Sequence, residues 1–177
     1  MTKFILHGGY TRIENEDNKN FFEEVKKNAK QILCIYFARD KKEWKKRFEE
    51  DKKKFNFDNL AMADEEDIEN QIKMADTIFL SGGDTEILKK RLIKIRFKDL
   101  IKGKTISGSS AGALVLCKYF YNNDNDKFLE GLGILNIKLF CHYSEDKKDK
   151  LEMLKKFKEN LKTYVLRDYE FIILEGK

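Results

Sequence analysis

The stretch "GKTISGSSAGALVL", residues 103–116, concentrates glycine and serine between two apolar runs in a chain otherwise rich in lysine. Small residues in such a place suit a tight structural turn, a phosphate cradle, or a nucleophile held on a strained corner. A phosphate loop of the G-x-x-x-x-G-K-[ST] type fails on residue type. Gly103 and Gly108 have the spacing, but Ser109 stands where the lysine should be. The dinucleotide pattern G-x-G-x-x-G does not match either. Gly108-Ser109-Ser110-Ala111-Gly112 does match G-x-S-x-G, with an apolar strand-like run before it and a helix-like run after it. On that corner, Ser110 can act as a nucleophile only if its neighbours lack bulk. The start of the following helix aims free N–H groups, that of Ala111 among them, at a developing oxyanion.

A serine needs a base, and the chain has two histidines, His7 and His142. His142 closes the apolar run "NIKLFCHY" and precedes the polar "SEDKKDK", so it reads as a base at the carboxyl end of a strand. His7, in "LHGG", either lines the same cleft or serves a turn. An acid to fix the histidine tautomer is expected between serine and histidine, where "YNNDNDKFLEG" offers Asp124, Asp126 and Glu130. Only 32 residues separate Ser110 from His142, too few for the extra strand–helix units of an α/β-hydrolase. Cys141 neighbours His142 but should face the opposite side of its strand, into the core.

The elements that must hold these residues follow from hydrophobic spacing. Apolar runs at 3–8, 31–38, 59–63, 76–80, 104–109 and 136–143 predict strands, and "TYVL" and "EFIIL" predict two more near the end. Helices are predicted over 18–30, 41–54, 64–74, 84–92, 147–161 and after Ser110, with a loop over 121–133. This alternation predicts one α/β domain over 1–177: a mostly parallel sheet with helices on both faces, a three-layer sandwich of flavodoxin-like type. In such sheets, sites form beyond the carboxyl ends of the strands. "HGG", "ARD", "SGGD", "SGSSAG" and "CHY" all fall there.

Composition narrows the class further. The 177 residues are 41% hydrophobic and 38% charged, with a net charge of +5 from 36 basic and 31 acidic side chains. The charges alternate, as in "KKEWKKRFEEDKKKF", so they read as solvated helix faces and not as a nucleic-acid footprint. No run reaches membrane-spanning length, and the N-terminus lacks the apolar core of a signal peptide. Cys34, Cys117 and Cys141 sit unpaired in apolar runs, which fits a reducing cytoplasm.

Taken in order, "SGGDTEILKKRL", "GKTISGSSAGALVL" and "GLGILNIKLFCHY" resemble peptidase family S51, the dipeptidase E and cyanophycinase group, which shares its fold with class I glutamine amidotransferases. The resemblance runs from about Lys3 to Ile173. It implies that Ser110 is the nucleophile, His142 the general base, and the N–H groups of Gly83 and Ala111 the oxyanion hole, with Gly82, Asp84 and Ser109 near the substrate. The family's acid falls at Asn125 here, between Asp124 and Asp126, and Asp84 stands where many members have Asn. Dipeptidase E-like members cleave peptides with an N-terminal aspartate, held by a basic residue beyond the histidine; Lys147 and Lys148 occupy that region.

The expected function is therefore that of a cytoplasmic serine-type peptidase acting on small peptides, with no cofactor and no metal. The expected partner is a peptide substrate, with no nucleic acid and no membrane, and a homodimer is compatible with the reading. The alternative is a catalytically inactive, amidotransferase-like protein that binds a small ligand.

Overall fold

The computed structural model describes residues 1–176. Two sheets organise the chain. The larger has the strand order β10-β1-β5-β4-β2-β3, built from β1 (Thr2–His7), β2 (Ile32–Ile35), β3 (Leu60–Met62), β4 (Thr77–Leu80), β5 (Thr105–Ser109) and β10 (Phe171–Gly176). Its first five strands run parallel, and β10 closes the β1 edge antiparallel, His7 opposite Phe171. β2 and β4 are buried along their whole length. That explains why they read as continuous apolar runs and not as alternating ones.

The helices divide between the two faces for a chiral reason. From β1 through α1 (Glu16–Lys26), β2 and α2 (Lys41–Phe55) to β3, the chain moves one way across the sheet. From β3 through α3 (Ile68–Met74), β4, α4 (Thr85–Lys94) and α5 (Phe97–Leu100) to β5, it moves back. Right-handed crossovers then place α1 and α2 on one face and α3 to α5 on the other. The contacts agree: α1 packs on α2, while α5 packs on α3 and α4. Loops leaving β1 and β2 therefore diverge from the loop leaving β4, and open a crevice above the carboxyl ends of these strands.

Side-chain spacing anchors α2. Trp44, Phe48, Asp51 and Phe55 follow the i, i+4, i+7, i+11 stripe, and all but the half-buried Phe48 are buried. Phe55 meets Phe22 of α1 and Phe79 of β4 with ring centroids 4.7 and 5.3 Å apart. The helix is capped by Asp40, whose carboxylate accepts the N–H of Lys42, and ends on Asn56 in the left-handed region.

The second sheet corrects two expectations. The helix predicted after Ser110 is a single turn, α6 (Ala111–Leu114), and Cys117 already begins β6 (Cys117–Asn122). The predicted loop over 121–133 contains β7 (Lys127–Glu130), which forms a hairpin with β6 and sets Tyr121 opposite Phe128. A turn with Asp126 at φ 52° joins them. β8 (Leu135–Phe140) and β9 (Thr163–Val165) complete the order β7-β6-β8-β9, with β6, β8 and β9 parallel. The long helix predicted near the end is shorter, α7 (Lys148–Lys156) after a 3-10 turn at Glu145–Lys147. The buried Lys138 of β8 donates to the carbonyl of Lys155 at 2.8 Å, satisfying an end group of α7. Among the described residues, no helix is long and apolar enough to cross a membrane.

Candidate active site

β5 ends at Ser109, and the next residue, Ser110, has φ 51° and ψ −113°. For a side chain other than glycine this is a sparsely populated conformation, costing about 1–3 kcal/mol. The surroundings enforce it. Ser110 N–H donates to the carbonyl of His7 at 2.9 Å, and its own carbonyl accepts the N–H groups of Ala113 and Leu114, each at 2.9 Å. The flanking glycines let the corner close. A Cβ on Gly108 would lie 2.3 Å from the carbonyl of Gly112, and one on Gly112 would lie 2.0 Å from the carbonyl oxygen of Leu80. Close backbone approach accounts for the small-residue run.

The hydroxyl so presented meets a base. Ser110 Oγ lies 2.8 Å from His142 Nε2, and His142 Nδ1 lies 2.6 Å from Asp168 Oδ1. A carboxylate can only accept, so Nδ1 carries a proton and Nε2 is left to accept the serine proton. His142 follows β8 and itself has φ 55°.

The acid differs from the sequence expectation. Asp124 and Asp126 lie at the β6–β7 turn, where Asp126 accepts from Tyr121 Oη at 2.8 Å and pairs with Lys150 at 2.6 Å. The Lys150 hydrogen bond holds its carboxyl below the usual carboxylate range. The amide of Asp124 donates to Asn122 Oδ1. Neither carboxylate reaches His142; Asp168, in the turn between β9 and β10, does. Both the triad order and the resemblance place the acid between serine and histidine, whereas Asp168 lies 26 residues past the histidine. The one available signal was its position at the carboxyl end of a predicted strand.

Other expected residues divide. Gly82, Gly83 and Ser109 line the cleft beside Ser110 and His142. A Cβ placed on Gly82 would sit 3.5 Å from that of Ser110, which measures how closely the β4–α4 turn approaches the hydroxyl. Among the described residues, no backbone acceptor is paired with the N–H of Gly83 or of Ala111. Asp84 does not line the cleft: it caps α4, accepting from Glu86 and Ile87 N–H at 2.8 and 2.9 Å. Its own N–H donates to the carbonyl of Ala38 at 2.8 Å, which fixes the turn. Lys147 donates to Asn123 Oδ1 at 2.7 Å and to the carbonyl of His142 at 3.1 Å, so it braces the histidine backbone. Lys148 is exposed at the start of α7. Neither lysine lines the cleft.

The cationic side chains that do line it are Arg12, Arg39 and Arg47, of which only Arg39, in "ARD", stands in a stretch expected at the site. They come from the β1–α1 loop, the β2–α2 loop and α2, around a space of about 140 Å³. Arg39 Nε is the one buried side-chain nitrogen or oxygen without a hydrogen-bond partner among the described residues. The guanidinium's ion pair with Glu43 is made through Nη1 and is long, at 3.9 Å. Burial, and then the neighbouring Arg47, pull its pKa below the ordinary value. Asp51 also lines the cleft; its carboxyl accepts from Tyr36 Oη at 2.8 Å, and burial raises its pKa to about 6.

His7 is fully buried and outside the cleft lining, which makes it a turn histidine. Cys141 is buried as well, and desolvation pushes its thiol well up, so it stays protonated and inert.

An α/β sheet carrying a serine on a strand-to-helix corner, with histidine and aspartate in line, defines a hydrolase-type site. The sequence pattern of peptidase family S51 matches residues 4–177, and the chain belongs to that family. Solved structures share its fold, these two among them. One is a protein of Listeria monocytogenes EGD-e assigned as a peptidase E, with a TM-score of 0.71, 19% identity, and 100% of this chain and 96% of that one covered. The other is a peptidase from an acI-B1 Actinobacterium, with a TM-score of 0.71, 18% identity, and 98% and 83% covered. No curated protein matches the chain significantly.

Proposed function

We propose that this member of family S51 is a serine-type peptidase that hydrolyses small peptides. The observation that carries the reading is the unbroken chain Ser110 Oγ–His142 Nε2, His142 Nδ1–Asp168 Oδ1. Ser110 Oγ attacks the scissile carbonyl carbon while His142 Nε2 takes its proton, and the carbonyl oxygen becomes an oxyanion facing the N–H groups of Gly83 and Ala111. The C–N bond then breaks as Nε2 returns the proton to the leaving amine, giving an acyl-enzyme. Water, deprotonated by the same imidazole, releases the acid and restores the serine. Asp168 holds the ring in the productive tautomer and stabilises the imidazolium. Each oxyanion donor is worth about 10²–10³ in rate.

The three guanidiniums lining the cleft support a substrate with a carboxylate near the scissile bond, an N-terminal aspartyl dipeptide being the simplest case. They offer forked donors that the two lysines cannot. The rival reading, an inactive ligand-binding protein, is favoured by an acid displaced from position 125; the contact of Asp168 with His142 supports the peptidase instead. A fluorophosphonate probe should label the wild type and neither Ser110→Ala nor His142→Ala, and a dipeptide library should return aspartyl substrates. A folded wild type that takes no label and cleaves no dipeptide defeats the proposal.

A further inference from the structure

The segment His7-Gly8-Gly9-Tyr10 touches Ser110, His142 and the residue that follows Asp168. The carbonyl of His7 accepts the N–H of Ser110 at 2.9 Å. Gly9 lies against the imidazole of His142 so closely that a Cβ there, at a φ of 132°, would stand 2.0 Å from Cε1 and 2.5 Å from Nε2. The Tyr10 ring meets the same imidazole edge-on, centroids 5.0 Å apart. The carbonyl of Gly9 accepts the N–H of Tyr169, next to Asp168, at 3.3 Å.

What holds this segment is a buried polar pair. Gly9 N–H donates to His7 Nδ1 at 3.0 Å, so His7 carries its proton on Nε2 and donates it to Asn18 Oδ1 at 2.9 Å. The Asn18 amide nitrogen spends both protons on the same loop, at the carbonyls of Tyr10 (2.9 Å) and Ile13 (2.7 Å). His7 is 0% and Asn18 2% exposed, so this network cannot exchange partners with water. Burial keeps the His7 pKa at about 4, and the ring therefore stays neutral with Nδ1 free to accept. A core histidine needs a partner for each nitrogen; here both partners fix one loop against the reacting groups.

We propose that His7 and Asn18 form a positioning pair, which through Gly9 sets the imidazole of His142 against Ser110 and Asp168. The inference rests on the peptidase reading for its kinetic consequence and on the contacts above for its geometry. A displacement of about 1 Å at a reacting group costs roughly 100-fold in rate, so a loosened loop should lower kcat and leave KM nearly unchanged.

Two polar variants separate the two nitrogens. His7→Asn offers an oxygen near Nδ1 and keeps the acceptor for Gly9, while His7→Gln reaches toward Asn18 and loses that acceptor. The prediction is that His7→Gln falls about 10- to 100-fold in kcat and in fluorophosphonate labelling rate at unchanged KM, whereas His7→Asn recovers most of both. In proton NMR, the low-field resonance of His142 Nδ1–H should shift or broaden in His7→Gln and in Gly9→Ala, and persist in His7→Asn. Equal rates and unaltered low-field resonances in the two His7 variants overturn the proposal. Because the resonance reports geometry without turnover, a wild type that cleaves nothing defeats the peptidase reading alone, and the NMR comparison still decides this one.

Discussion

Replacing Asp168 by asparagine tests the assignment of the acid most directly. The side chain keeps its size, so the 2.6 Å contact with His142 Nδ1 can persist. What changes is the proton inventory. An amide can turn its NH₂ toward Nδ1, which makes Nδ1 the acceptor and puts the imidazole proton on Nε2. A protonated Nε2 facing Ser110 Oγ at 2.8 Å cannot take the serine proton. Asp168 is 40% and His142 25% exposed, so solvent screens much of the charge effect. Loss of the tautomer is not screened. In the serine protease template the same change lowers kcat about 10⁴-fold, which is about 5 kcal/mol of barrier, and a fall of 10³- to 10⁴-fold is expected here. The assay is single-turnover labelling and steady-state dipeptide cleavage, with thermal melting as the control for folding. Asp124→Asn and Asp126→Asn, made in parallel, should stay within about threefold of wild type. A folded Asp168→Asn enzyme with near wild-type kcat, or an Asp126→Asn enzyme that is equally impaired, refutes the reasoning.

Three further outcomes follow from the same geometry. Gly112→Ala should fold poorly or melt well below wild type in a thermal scan, because its Cβ would fall 2.0 Å from the carbonyl oxygen of Leu80, where only backbone could yield. Arg39→Met should lower kcat/KM for aspartyl dipeptides about 10- to 100-fold and change neutral dipeptides little, as expected for loss of about 1.5–3 kcal/mol of charge-assisted bonding. Asp51 has its pKa raised to about 6 from 3.8, so the folded state holds its proton more tightly than the unfolded chain does; this stabilisation is full below pH 4 and lost as pH rises to 6. Denaturant titrations of wild type and Asp51→Asn should diverge in favour of the variant across that window, by up to about 3 kcal/mol, and run parallel above it.

The corner at Ser110 was legible because sterics dictate residue types there: where backbones meet at Gly108 and Gly112, nothing larger fits, and the sequence must say so. His142 was legible by scarcity, since it had one competitor. Asp168 was not, because any of 31 acidic residues could have served and the one that does depends on how two sheets sit against each other. The grouping of the arginines was hidden for the same reason: Arg12, Arg39 and Arg47 lie on three elements whose convergence no local spacing records. The parallel order of the main sheet followed from alternating strands and helices. The second sheet did not, because the run after Ser110 carries the period of neither a helix nor a half-buried strand, and the β6–β7 turn reads simply as polar.

Ser110 follows a strand of the larger sheet, His142 follows a strand of the smaller one, and Asp168 lies on the link between β9 and β10, which crosses from one to the other. Hydrolysis therefore doubles as a gauge of docking. Any change that lets β10 peel from β1, or the two sheets slide, should silence the enzyme while each half keeps its own backbone ladder. In this protein, heat or denaturant should extinguish turnover before the circular dichroism of the strands begins to fall.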